Sequence, residues 1–118
     1  MGFAETAGRS GQAFLKAKAE CRAALVGYLP VGYPTVAGSL DAFRAICVPG
    51  DGPGVDMVEI GMPSSDPMMD GPVIQRAGTA ALNRGVRTRD IFAAVEAVAS
   101  TGVVPVCMTY WNIVDRYG

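Results

Sequence analysis

Three short apolar runs, each separated from the next by segments of helical periodicity, restrict this chain to a parallel α/β architecture. The first run is Ala24-Leu25-Val26-Gly27-Tyr28-Leu29, almost unbroken in its hydrophobicity, as strands covered on both faces are. The second spans residues 55–60 and the third residues 103–108. Strands joined through helices pair in parallel, because a parallel pair needs a crossover rather than a tight turn. The doubly wound sheet and the (β/α)8 barrel both begin this way. No Gly-x-Gly-x-x-Gly follows the first strand, which weighs against a dinucleotide site. A full barrel takes about 250 residues. The 118 residues here are therefore expected to form the N-terminal part of one, with about three of its eight strands.

The segments between the strands carry their own start and stop signals. Residues 13–21 read as a short helix with Phe14, Ala17 and Cys21 on one side, and residues 1–12 as a flexible N-terminal segment before an incomplete barrel over 13–118. Residues 30–34, with prolines at both ends, read as a loop. Thr35 is placed to cap a helix whose buried face is Val36, Leu40, Phe43 and Cys47. A Gly/Pro-rich run from Pro49 to Gly54 breaks it. Pro72 suits the first position of a helix packed through Ile74, Ala77, Gly78 and Ala81, which Gly85 stops. Thr88 is expected to cap another, with Ile91, Val95 and Val98 on one side and Gly102 at its end. Pro105 counts against the third strand, since it removes a ladder donor.

Composition removes several chemistries. The chain has no histidine, so Ser-His-Asp and Cys-His nucleophiles and the usual zinc ligands are absent, and no metal site is expected. Its two lysines, Lys16 and Lys18, precede the first strand, so no Schiff-base lysine rises from a strand. Proton transfer must use carboxylates, tyrosines or water. The net charge of -1 and the lack of a basic cluster argue against nucleic acid. No apolar run approaches the roughly 20 residues that span a bilayer, and nothing at the start resembles a signal peptide, so a cytoplasmic protein is expected. Cys21, Cys47 and Cys107 are odd in number and widely spaced, and read as buried reduced thiols.

Two carboxylates stand out. In the second strand Val55, Met57 and Glu59 share one face, and Asp56, Val58 and Ile60 the other. If Val58 and Ile60 pack under helices, Glu59 points inward at the strand's carboxyl end, where α/β folds hold their ligands. There it could donate and accept a proton, or serve as a structural ion-pair partner. Asp70 lies just before the helix that Pro72 opens. It could complement the helix dipole or hold a substrate N–H. Asp66, before Pro67, has a turn-forming role open to it.

The run Glu59-Ile-Gly-Met-Pro-Ser-Ser-Asp-Pro-Met-Met-Asp70-Gly-Pro resembles the signature of the tryptophan synthase alpha chain family. So do Gly32-Tyr33-Pro34 after the first strand and Met108-Thr109-Tyr110-Trp111-Asn112 after the third, in the same order and spacing. The resemblance implies a (β/α)8 barrel that cleaves indole-3-glycerol phosphate to indole and glyceraldehyde 3-phosphate, without a cofactor. By resemblance Glu59 is the acid–base residue, and Asp70 binds the indole N–H and answers the charge that develops there. By resemblance Tyr28 matches a position where the family places an aromatic against the substrate, and Met108 an apolar wall position with Tyr110 beside it; core packing is the rival reading for all three. Asp66 and Asn112 match the surface that meets the beta chain, in an expected heterotetramer. Ser64 stands where an aromatic is common, and Ile113 where proline often follows the asparagine. The family's phosphate site and closing loop lie outside this sequence. The segment by itself is expected to be inactive, and a self-associating, non-catalytic unit is the alternative reading.

Overall fold

The computed structural model describes residues 7–66 and 68–117. Its elements run α1 (Arg9–Ala19), β1 (Val26–Pro30), α2 (Val36–Cys47), β2 (Met57–Gly61), α3 (Pro72–Asn83), α4 (Asp90–Ala99), β3 (Val104–Met108) and α5 (Trp111–Tyr117). Both strand pairs are parallel, in the order β1-β2-β3, with Tyr28 beside Glu59 and Glu59 beside Val106.

The core lies on one face of this sheet. Val58 and Ile60 point into it and are fully buried. Phe43 and Cys47 from α2, Ala81 from α3, and Ile91, Ala94 and Val98 from α4 close over them. On the opposite face Met57 is buried, whereas Val26, Val106 and Met108 are 40%, 39% and 50% exposed. The side-chain phase anticipated for β2 therefore holds, and Glu59 stands on the face away from the helices.

Helix signals were legible at α2 and α3. The Thr35 hydroxyl accepts from the Gly38 amide at 2.9 Å, and Pro72 opens α3. Gly85, at φ 91°, ends α3 with paired bonds from Gly85 N to Leu82 O and Val86 N to Ala81 O. At α4 the expectation for Thr88 is corrected. The Thr88 side chain makes no cap; instead the Asp90 carboxylate accepts from the Arg87 amide at 2.7 Å, bracing the turn that leads into the helix.

α1 departs further. It begins at Arg9 rather than residue 13, and of the anticipated stripe only Ala17 is buried; Phe14 is 51% exposed. Cys21 lies beyond the helix, in the left-handed region at φ 56°. The same two bonds that end α3 recur there, Cys21 N to Lys18 O and Arg22 N to Ala17 O, so cysteine occupies the seat glycine takes at Gly85. This leaves Cys21 exposed. Cys107, on the outer edge strand, is exposed too, and only Cys47 fits the buried reading.

Two prolines sit inside strands without disturbing the ladder. Val31 N donates to Gly61 O, and Val104 N to Asp56 O. Odd-numbered residues of β1 and even-numbered residues of β3 therefore face β2, and the nitrogens of Pro30 and Pro105 face outward. For that reason Pro30 belongs to β1, where the sequence suggested a loop, and Pro105 does not break β3.

Candidate active site

The inner face and the loops at the strands' carboxyl ends bring four of the anticipated residues together. Glu59 is the third residue of β2 and is half-buried. Its carboxylate has no hydrogen bond or ion pair among the described residues. Tyr28 stands beside it on β1. Burial pushes the Tyr28 phenol above its ordinary value of 10.0, and the nearby Asp70, Tyr110 and Glu59 push in the same direction. Asp70 sits at the far end of the loop that leaves β2, also half-buried. That loop folds back: Asp70 O accepts from Gln75 Nε2 at 2.8 Å, and Gly71 O from Gln75 N at 2.9 Å, anchoring the junction to the first turn of α3.

Tyr110 holds the loop that leads to Asp70. Its hydroxyl accepts from the Met69 amide at 2.9 Å, latching the loop after β3 to the residue next to Asp70. Met108 ends β3 beside Gly61, and its carbonyl accepts from Met62 N at 3.0 Å. These bonds fix the loop after β2 at both ends. Within it Ser64 makes the turn expected of Asp66: the buried Ser64 hydroxyl accepts from Asp66 N at 3.2 Å, while Asp66 itself is exposed. Pro67 lies outside the described residues.

Asp66 and Asn112 do not join the Glu59 group. Asn112 lines a separate hollow, shared with Ser64, Ser65 and Thr88 and with Arg87, Arg89 and Arg116. No carboxylate lines it, and none of the three arginines has an ion-pair partner among the described residues. Sequence reasoning missed this basic hollow because its arginines come from separate segments. It also missed the Tyr110–Met69 latch, and the position of Gly61 under the Tyr28 ring.

At position 113 the amide donates to Tyr110 O at 3.1 Å, a bond proline could not make. Among the described residues no group of three or more His, Cys, Asp or Glu is arranged to hold a metal ion.

The profile of the family described as Tryptophan synthase alpha chain matches residues 14–118. The chain belongs to that family. It is 50% identical over 118 residues to the tryptophan synthase alpha chain of Bifidobacterium longum, covering all of this chain and 39% of that relative. To the alpha chain of Salinispora arenicola it is 56% identical over 108 residues, again 39% of the relative's length. Among solved structures it is similar to tryptophan synthase from M. tuberculosis in an open form with BRD0059 bound, with a TM-score of 0.89, 53% identity, and coverage of 95% of this chain and 43% of that one. The alpha subunit from Legionella pneumophila str. Paris superposes with a TM-score of 0.83 at 30% identity, covering 95% of this chain and 42% of that one. The chain thus spans about two fifths of these alpha chains, and its three-stranded sheet is the N-terminal part of the family's (β/α)8 barrel. Among the described residues no helix is long and apolar enough to cross a membrane.

Proposed function

We propose that this segment supplies the proton-transfer half of a tryptophan synthase alpha site, in a protein that cleaves indole-3-glycerol phosphate to indole and glyceraldehyde 3-phosphate. The observation that carries this reading is the gathering of Glu59 and Asp70, neither ion-paired among the described residues, around the Tyr28 phenol at the strands' carboxyl ends. The cleavage is a retro-aldol step. A proton is added at indole C3 and another leaves the side-chain hydroxyl. The C–C bond then breaks, its electrons returning to the ring as the hydroxyl carbon becomes an aldehyde. Glu59, on the inner face and without a hydrogen bond or ion pair among the described residues, is the group to move these protons. Asp70 holds the indole N–H and stabilises the positive charge that grows on the ring nitrogen as C3 is protonated. Met108 and the rings of Tyr28 and Tyr110 give the indole apolar walls, while Tyr110 also keeps the Asp70 loop in place.

The reading extends to a partner. Asp66, exposed on its loop, and Asn112, in the basic hollow beside it, belong to the surface that meets a beta chain in the assembled, cytoplasmic enzyme. Residues 13–118 act as one part of a larger barrel, preceded by a segment over 1–12. Indole release from indole-3-glycerol phosphate by the full-length protein tests the activity; its absence, with the protein folded, rejects it.

A second reading rests on the exposed inner face. Val26, Val106 and Met108 leave that face without its opposing wall, so the 118 residues on their own act as an associating, non-catalytic unit.

A further inference from the structure

Gly61 is the last residue of β2, two after Glu59 and on the same inner face. A Cβ built there would fall on the Tyr28 hydroxyl, and would lie 2.6 Å from Cζ and 2.7 Å from Cε2 of the same ring. Real Cβ atoms do not approach so closely, and the atoms met belong to a rigid ring rather than to the tip of a flexible chain. Tyr28 therefore does not stand upright on β1. Its register partner is Glu59, yet its ring tip lies over Gly61, so the side chain leans across the sheet toward the strands' carboxyl ends. In that position it closes one side of a small cavity whose other walls include Pro63, Ser64, Asp70 and Ile74.

We propose that Gly61 and Tyr28 are a positioning pair: the bare α-carbon of Gly61 seats the Tyr28 phenol, and the seated phenol sets the placement of Asp70 relative to Glu59. The phenol suits this role chemically. Tyr28 shares a small cavity with Asp70 and is the register partner of Glu59. A carboxylate only accepts hydrogen bonds, and a neutral phenol offers an O–H donor to either of them. A phenol keeps its proton at neutral pH, and burial together with the neighbouring Asp70 pushes its loss to still higher pH. The effect on turnover rests on the lyase reading above, whereas the seat itself does not.

The test uses the full-length protein and three forms of it: wild type, Gly61→Ala and Tyr28→Phe. Indole release gives kcat and KM. Difference absorbance of the phenolate against pH, with Tyr28→Phe as the blank, gives the titration of Tyr28 alone. A misplacement of about 1 Å costs on the order of 100-fold in rate, so Gly61→Ala is expected to lower kcat by about 10–100-fold while KM changes little. The Tyr28 titration should move down toward the ordinary phenol value as the ring is lifted into solvent. Tyr28→Phe, which keeps the ring, should lower kcat and lose the alkaline limb of its pH profile. Wild-type kcat and an unmoved Tyr28 titration in Gly61→Ala would overturn the proposal. If Gly61→Ala does not fold, Tyr28→Phe decides alone, and unchanged kcat and pH profile in that variant would overturn it. A full-length protein that releases no indole, yet shows the shifted Tyr28 titration in Gly61→Ala, would reject the lyase reading and leave the seat standing.

Discussion

Arg22 grips Asp56 through two parallel hydrogen bonds, Nη1 to Oδ2 and Nη2 to Oδ1, each 2.8 Å long. The same Asp56 Oδ2 accepts from the Leu25 amide at 2.7 Å, so one carboxylate joins the turn after α1 to the residues leading into both β1 and β2. This cluster lies at the amino ends of the strands, opposite the end from which the Asp70 loop leaves β2. The Arg22 guanidinium, followed by the Leu25 amide, holds the Asp56 carboxyl at about 2, below its ordinary value of 3.8.

A pH dependence follows. A depressed folded-state value means the unfolded chain binds the proton more tightly, so this contribution to stability is present above about pH 4 and is lost as pH falls toward about 2. Urea midpoints of the full-length protein should fall across that window, and Arg22→Ala should flatten the fall. Parallel acid profiles for wild type and variant would show that the grip contributes nothing.

Cys21→Gly should stabilise the protein. A residue with a Cβ in the left-handed region costs about 1–2 kcal/mol, which glycine does not incur. Part of that gain is offset by glycine's greater freedom in the unfolded chain. The expected net effect is a gain of up to about 1 kcal/mol, read from the denaturation midpoint. A lower midpoint would mean that the Cys21 side chain has a contact worth more than the backbone strain.

Glu59→Gln keeps the shape of the side chain and removes its ability to move a proton. Loss of a positioned acid–base group costs about 10²–10⁴-fold. Near-wild-type indole release by the full-length variant would remove Glu59 from the mechanism.

On the proposed lyase reading, the expected signature of Asp70→Asn is a fall in kcat larger than any rise in KM, because the charge Asp70 would answer exists mainly in the transition state. Steady-state kinetics in which KM alone rises would assign Asp70 to ground-state binding.

The 118 residues expressed alone should self-associate and release no indole. Each few hundred Å² of apolar inner face left in water forfeits several kcal/mol at about 25 cal/mol per Å². A domain's whole stability is only about 5–15 kcal/mol. Sedimentation checks the first half and an indole assay the second; a compact monomer at high concentration contradicts the expectation.

Much of the frame was legible because it depends on short-range pattern. The alternation in β2 placed Val58 and Ile60 under the helices and Glu59 on the other face, and Thr35, Pro72 and Gly85 marked helix ends through local geometry. What stayed hidden depends on partners distant in sequence. Nothing near Tyr110 announces that its hydroxyl receives the Met69 amide, and nothing near Asp56 announces Arg22, 34 residues earlier. Cys21 was misread because its spacing from Ala17 fits a helical stripe, while only the backbone path reveals that the helix has already ended. Pro30 was misread because proline's cost in a strand depends on which way its nitrogen faces, and that is set by the register of the neighbouring strand.

Those outward-facing prolines also bear on how the sheet can grow. Each free edge presents a row of donors with one gap, at Pro30 on one side and at Pro105 on the other. A strand laid against either edge must leave one of its own carbonyls without a partner there, or bend past the position. Indiscriminate stacking of identical chains into an endless ladder repeats that defect at every joint. A neighbour shaped to skip the position meets it once. The edges are thus poor templates for fibrils and tolerant ones for a dedicated partner strand, a bias carried by two ring nitrogens rather than by any charge.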